Sequence, residues 1–266
     1  MADISAKDVQ TLRKATGVGM MDAKRALTEN DGDFEKSVVW LREKGLSKAA
    51  ERADRANEQG AVTIARDGQV AAIVELNSET DFVAKSPEFT GLLEKLAAAV
   101  VADGEGAIAA HQDAVDDLRI TLKENIAVGR VVRFEAADGA ALDAYVHRQS
   151  GRGINAVLVE LQGGDEKLAH EIALHVAHAR PSYLRREDVP ADVVANERQV
   201  QESITRNEGK PEAAVPKIVE GRLTGFFKTL VLLEQDFVKD NKVSIAKLLG
   251  DAGATLTRFA QVEIGR

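Results

Sequence analysis

Cysteine is absent from the 266-residue sequence. A disulfide framework, a thiolate metal site and a cysteine nucleophile are therefore excluded, and a cytoplasmic location is the natural expectation. Aromatic residues make up only 4% of the chain, too few to suggest a stacking platform for single-stranded nucleic acid. No apolar run approaches the roughly 18 residues that a membrane span needs. The first residues, MADISAKDVQ, lack the basic start and apolar core of a signal peptide.

The charge balance also limits the class of partner. The chain has 43 acidic residues against 35 Lys and Arg, a formal net charge of −8. Nonspecific binding to nucleic acid depends on neutralising phosphates, and no basic stripe interleaved with aromatics offsets this charge. We therefore expect no direct nucleic-acid partner and no membrane partner. The hydrophobic fraction of 44% is ordinary for a globular protein, and the length suits two or three modules.

Residues 1–45 have the pattern of three short helices that resemble a ubiquitin-associated-type domain. Ser5 and Asp8 form a capping-box-like pair, and Gly17-Val18-Gly19 ends the first helix because glycine frees the backbone to turn. The second and third helices are predicted over Met20 to Glu29 and Phe34 to Lys44.

Met20 and Met21 allow two interpretations. Either residue can belong to the small core, which the pattern favours for each one taken alone, or form an adaptable binding surface. Trp40, the only tryptophan, is predicted to pack in the same core. Residues 46–59 are alanine-rich and charged, which is typical of a semi-rigid helical linker.

Residues 60–139 are predicted to form a first core subdomain. Two strands, over 61–66 and 69–76, are joined by Asp67-Gly68, a good hairpin signal between alternating runs. Ser86 and Pro87 are the N-cap and first position of a helix that reaches about Ala102. A second helix and a third strand are predicted over Ala109 to Asn125 and Val128 to Ala136.

The pattern then repeats in a second core subdomain, predicted over 140–180 and 229–266. Its strands (142–149 and 154–161) again precede a helix (165–179). Aligning residues 70–76 with 155–161 gives four identities in seven: Ala71/Ala156, Val74/Val159, Glu75/Glu160 and Leu76/Leu161. Residues 181–228 are predicted to be an inserted helical hairpin with helices over 193–207 and 212–227. The chain is predicted to close with a strand (230–233), a helix (244–250) and a strand (255–264). The predicted class is α+β, with two related subdomains that carry small antiparallel sheets.

The loop after the first repeated strand, Thr80-Asp81-Phe82-Val83, distinguishes the two copies. The second copy passes from Leu161 to its helix through Gln162-Gly163-Gly164 only. Local pattern favours a Phe82 that turns inward onto Phe89, since aromatic residues are more often buried than presented. An insertion in one copy only favours the alternative, a Phe82 presented to a partner.

Two sequence patterns partly match known cofactor or metal sites, but neither match is complete. Residues 151–156 match a loose GxGxxA, but a strand follows the glycines where a dinucleotide site needs a helix. His170 and His175 are spaced i and i+5, one residue too far apart for an HExxH zinc site. No phosphate-binding loop of the form GxxxxGK[ST] occurs. We predict no cofactor, no metal site and no bond-making or bond-breaking chemistry.

Two longer motifs resemble the signatures of the elongation factor Ts family. They are TGVGMMDAKRAL, from Thr16 to Leu27, and ETDFVAK, from Glu79 to Lys85, and they lie about 60 residues apart. The resemblance extends over essentially the whole chain. It implies a guanine-nucleotide exchange factor for elongation factor Tu, the GTPase that delivers aminoacyl-tRNA, with GDP-bound and nucleotide-free forms as partners.

The resemblance also implies which residues contact that GTPase. Asp81 and Phe82, with Thr80 and Val83, would enter near its magnesium site, and Phe82 would act as the wedge. The other implied contacts are Arg13, Met20, Met21, Lys24, Ile126, His147, Phe237 and Val238. Ala23 stands where the family often has Cys. A disulfide-linked dimer is impossible here, so self-association through 181–228 would be noncovalent. The alternative function is an interaction adaptor built on the ubiquitin-associated-like domain, without exchange activity.

Overall fold

A computed structural model describes residues 4–44 and 55–266. These residues form eleven α-helices and eight strands, a mixture of helices and small antiparallel sheets that is compatible with the predicted α+β class. In chain order, the elements are α1 (Ala6–Thr16), α2 (Met20–Glu29), α3 (Phe34–Glu43), β1 (Gln59–Asp67), β2 (Val70–Ser78), α4 (Asp81–Ala84), α5 (Pro87–Asp103), α6 (Ala107–Ala110), α7 (Gln112–Leu122), β3 (Ala127–Glu135), β4 (Ala140–Gln149), β5 (Arg152–Gln162), α8 (Glu166–Ala179), α9 (Ala191–Asn207), α10 (Val215–Leu230), β6 (Asp236–Phe237), β7 (Asp240–Ser244), α11 (Ile245–Asp251) and β8 (Thr255–Glu263).

The three predicted N-terminal helices are present, and local capping explains their bounds. Ser5 and Asp8 form a complete capping box at α1, and Gly17 ends the helix in the left-handed conformation at φ 66°. Asp33 caps α3 through the amide of Lys36. The helices enclose a small core, and Trp40 packs against it while half-buried. Nine residues of the predicted linker, 46–54, lie outside the described residues.

The repeated strand–strand–helix order is observed twice. β1 and β2 form an antiparallel hairpin in register from Gln59 opposite Ser78 to Asp67 opposite Val70. β3 completes this sheet in the order β1-β2-β3, and β4, β5 and β8 form a second sheet in that order. The helices α5 and α8 supply the apolar side chains that cover these strands. Ser150 and Gly151 turn β4 into β5 with positive φ, so the GxGxxA pattern is a hairpin and no helix follows it.

A buried glutamate explains one identity between the two copies. Glu75 on β2 accepts hydrogen bonds from the backbone N–H of Arg130, at 2.8 Å, and from its Nε, at 3.2 Å. Glu160 on β5 accepts from Arg258 Nε at 2.6 Å. Both carboxylates are buried, and each is paired with a charged donor on the neighbouring strand, which is how a buried charge is tolerated. A Cβ on Gly129 would come within 2.5 Å of the Glu75 carboxylate, so that glycine provides its space.

Two predicted elements are wrong. The single helix over 109–125 is divided into α6 and α7, because His111 leaves the helical conformation at φ −105°, ψ 4°. The strand over 230–233 does not form. α10 continues to Leu230, Val231 makes one isolated bridge with Tyr183, and Leu232–Glu234 is a 3-10 helix. The predicted helical hairpin is present as α9 and α10, whose facing surfaces bury Thr205, Val219 and Leu223.

The backbone divides into two compact units. One comprises the described residues of Met1–Phe134 with Val146–Ala156 and Val262–Arg266, and the other comprises Glu135–Tyr145 and Val157–Gln261. The division of the chain into five segments remains a prediction. Among the described residues, no helix is both long and apolar enough to cross a membrane.

Candidate functional site

The segment between β2 and α5 holds Phe82 in an exposed position. Thr80 is the N-cap of the one-turn helix α4, and its hydroxyl accepts the N–H of Val83 at 3.4 Å. Ala84 is completely buried and Val83 packs against the same core, so the helix is anchored by its second half. Phe82 lies on the opposite side with 82% of its surface exposed. Burial of Phe82 onto Phe89 is therefore the wrong interpretation, and only Phe89 is in the core.

The charges beside Phe82 are paired. Lys85 forms an ion pair with Asp81 one turn away, and its Nζ lies 5.9 Å from the centroid of the Phe82 ring. The hydrogen bond from Lys85 lowers the pKa of the Asp81 carboxyl from its ordinary value, and the charges of Lys85 and Arg152 act in the same direction. Asp81 is thus ionised at neutral pH. The loop offers a carboxylate and an apolar ring side by side, with the Lys85 ammonium close to both.

The comparisons with known proteins bear on this loop directly. The family model described as "Elongation factor TS" matches residues 79–266, beginning at the residue before Thr80. The chain is 46% identical over 282 residues to elongation factor Ts of Mycolicibacterium smegmatis and 47% identical over 278 residues to that of Mycolicibacterium vanbaalenii. The corresponding protein of Clavibacter michiganensis is 46% identical over 278 residues. Each alignment covers 100% of both chains.

The chain belongs to the elongation factor Ts family. This confirms the resemblance carried by the two motifs, and it makes the chain a translation elongation factor by family.

The first elongation factor Ts motif, TGVGMMDAKRAL from Thr16 to Leu27, presents an exposed face of α2. Met20 and Met21 are 60% and 75% exposed, so their assignment to the core is wrong. Lys24, also exposed, lies one turn after both of them on the same helix face. Ala23, Ala26 and Leu27 form the buried side instead. Arg13 on α1 is engaged within the chain, where its guanidinium pairs with Asp117 of α7 at 2.8 Å.

Two of the implied contact residues are corrected by their burial. Ile126 is 0% exposed and packs in the core beneath β2 and α5, while its carbonyl accepts two N–H groups of Arg119. Phe237 is 5% exposed and packs in the core of the other unit. Neither side chain offers surface to a partner, because each is needed to fill a core. His147 is exposed near the end of β4, and Val238 is 45% exposed.

A buried histidine, not predicted from the sequence, fixes the backbone of Val238. His175 on α8 is 1% exposed, and its Nδ1 accepts the N–H of Val238 at 3.2 Å. Its Nε2 lies 3.0 Å from Gln235 Oε1, which can only accept, so Nε2 carries the proton. Gln235 in turn donates to the carbonyl of Thr229 at 3.2 Å. Both ring nitrogens are used within the chain, so His175 is not available as a metal ligand.

This arrangement predicts a pH-dependent stability. Burial lowers the pKa of His175 from its ordinary value. Below about pH 6.5 His175 binds a proton in the unfolded chain but not in the folded chain, where its pKa is lower. The contribution of His175 to the free energy of unfolding is therefore present above that pH and is lost as pH falls. His175→Gln removes the titrating group. We therefore expect the difference in unfolding free energy between the wild type and His175→Gln, measured with urea, to decrease from pH 7.5 to pH 5.

The matched control is His170→Gln, because His170 is half-exposed on the same helix and its Nδ1 lies 3.1 Å from an Asp143 carboxylate oxygen. A wild-type-minus-variant difference for His175→Gln that stays constant across this pH range contradicts a lowered pKa of His175 in the folded chain.

Proposed function

We propose that this chain is a guanine-nucleotide exchange factor that binds elongation factor Tu and promotes the release of GDP. The observation that carries the proposal is the exposed Phe82 on α4, in a loop present in only one of the two repeated copies. Exposing a large aromatic ring to water is unfavourable, and aromatic residues of this kind are common anchors in partner pockets. Membership of the elongation factor Ts family supports elongation factor Tu as the partner.

The proposed mechanism rests on thermodynamic linkage. A factor that binds the nucleotide-free GTPase more tightly than the GDP-bound form must weaken GDP binding by the same ratio. A ratio of ~10⁴ corresponds to roughly 5.5 kcal/mol of differential binding. No bond has to be made or broken by the chain itself, so its residues need only bind the GTPase and displace its GDP.

We place the source of this difference in the loop of Thr80, Asp81, Phe82 and Val83. The magnesium ion in the GTPase neutralises charge at the β-phosphate, so a group that disturbs the ion weakens the nucleotide strongly. Phe82 supplies the apolar wedge, while the ionised Asp81 adds negative charge beside a site that also holds phosphate. Both effects disfavour the GDP- and magnesium-bound form.

The remaining contacts are proposed from exposed residues of each unit taken separately. In the first unit they are Met20, Met21 and Lys24 on α2, with His147, and in the second unit Val238. Arg13 would have to exchange Asp117 for an acidic group of the partner. Val200 and Ile204 are exposed one turn apart on α9, and we propose this face for any noncovalent homodimer through 181–228.

Isothermal titration of elongation factor Tu in its GDP-bound and nucleotide-free forms tests the proposal. We expect tighter binding to the nucleotide-free form by several orders of magnitude. An adaptor built on the three N-terminal helices would bind both forms equally. Equal affinities therefore overturn the exchange function in favour of the adaptor.

A further inference from the structure

The loop that carries Phe82 is held by a carboxylate from a distant part of the chain. Glu124 lies in the turn between α7 and β3 and accepts three hydrogen bonds from that loop. Its Oε2 accepts the backbone N–H groups of Glu79 and Thr80, both at 3.1 Å. Its Oε1 accepts the Thr80 hydroxyl at 2.6 Å.

The contact is reciprocal, which fixes two segments to each other. Glu79 Oε1 accepts the backbone N–H of Asn125 at 2.7 Å. The loop segment 79–80 therefore donates hydrogen bonds to the turn segment 124–125 and also accepts one from it. Lys123 ends α7 in the left-handed conformation at φ 59°, which reverses the chain. On the far side of the turn, Ile126 is fully buried. Glu124 is thus presented from a turn that is anchored at both ends.

The Thr80 hydroxyl transmits this restraint to α4. It donates its only hydrogen to Glu124, so it can only accept from the N–H of Val83, as an N-cap must. The amide of Thr80 is held by the same carboxylate. The position of the N-cap Thr80 and the direction of α4 are therefore fixed together. Phe82 lies only two residues after Thr80.

We propose that Glu124 is a positioning residue for Phe82, whose carboxylate fixes the direction in which α4 presents the ring and so controls the exchange rate without contacting the partner. This inference rests on the proposed exchange function. Charge-assisted hydrogen bonds to backbone N–H groups are among the strong ones, which suits a group that must hold an exposed ring in place. A small misplacement of such a group is costly where two surfaces must fit closely.

A double-mutant cycle tests the inference. We expect Glu124→Ala to lower the maximal rate of GDP release from elongation factor Tu by about 10-fold, within the range of coupled neighbouring residues. In the Phe82→Ala background, the same substitution should change the rate by less than about 2-fold, because there is no ring left to position. Equal losses in both backgrounds overturn the inference, since Glu124 would then act independently of Phe82.

Glu124→Gln separates geometry from charge. The amide oxygen of Gln can still accept from both backbone N–H groups, and its NH₂ can donate to the Thr80 hydroxyl, which has a second lone pair. We expect Gln to retain most of the activity that Ala loses. A loss as large as that of Ala would contradict positioning by hydrogen bonds. Glu94→Ala, at an exposed glutamate on α5, is the matched control and should leave the rate unchanged.

Amide hydrogen exchange of the isolated chain provides a readout that does not depend on the GTPase. Glu124→Ala should speed exchange at residues 79–85 relative to the wild type, while the amides of β1 and β2 stay protected. Unchanged exchange at 79–85 overturns the inference even if GDP release slows. If the wild type does not accelerate GDP release at all, the proposed function fails, while this measurement still decides whether Glu124 orders the loop.

Discussion

Phe82→Ala should abolish most of the exchange activity while leaving the fold intact. We expect the maximal rate of GDP release from elongation factor Tu to fall by at least about 30-fold, which corresponds to the ~2 kcal/mol of an interface hot spot. The melting temperature should stay nearly unchanged, because the ring is 82% exposed and loses little burial on truncation. Its neighbouring cation, Lys85, contributes only about 0.5–1 kcal/mol at an exposed site.

Stopped-flow release of fluorescent GDP and a thermal melt measure the two quantities on the same preparation. Val39→Ala is the matched control, because Val39 is another exposed apolar side chain, at 53%, and lies on α3, which carries none of the implied contact residues. Release by Phe82→Ala at the wild-type rate would contradict the wedge. A large fall in melting temperature would contradict the exposure of the ring.

Phe89→Ala, unlike Phe82→Ala, should strongly destabilise the fold. Phe89 lies on α5, is the largest completely buried side chain among the described residues, and belongs to one core cluster with Ala61, Val74 and Leu96. Truncating a buried Phe removes its transfer free energy and leaves a cavity, which costs about 3–5 kcal/mol. We expect urea denaturation to show a loss of that size. A loss below about 1 kcal/mol would mean that the site collapses fully or that Phe89 is not in the core.

The two phenylalanines also show how far the sequence could be interpreted. They lie seven residues apart, and since aromatic residues are more often buried than presented, local pattern alone predicts burial for both. Comparing the two repeated copies separates them, because the second copy lacks the inserted loop. The starts of the helices were well predicted at Ser5, Ser86 and Ser244, where a side chain caps the first turn. Such signals are local, and no later contact overrides them.

Features that depend on distant contacts could not be predicted in this way. Glu124 meets Thr80 from 44 residues away, and His175 meets Val238 from 63 residues away. Neither residue type nor spacing distinguishes them from solvent-facing residues. The same reason explains the errors at Ile126 and Phe237, whose burial is decided by the strands and helices that pack over them. The strand predicted over 230–233 does not form because α10 continues to Leu230, further than the apolar run of these residues suggested.

The most direct test of the exchange function is the rate of GDP release from elongation factor Tu at increasing concentrations of this chain. The release of fluorescent GDP is followed by stopped flow in the presence of excess unlabelled GDP and magnesium. An exchange factor predicts a rate that rises with concentration and saturates well above the intrinsic rate, because a ternary complex forms and then loses GDP. A rate that stays at the intrinsic value at every concentration would contradict the exchange function.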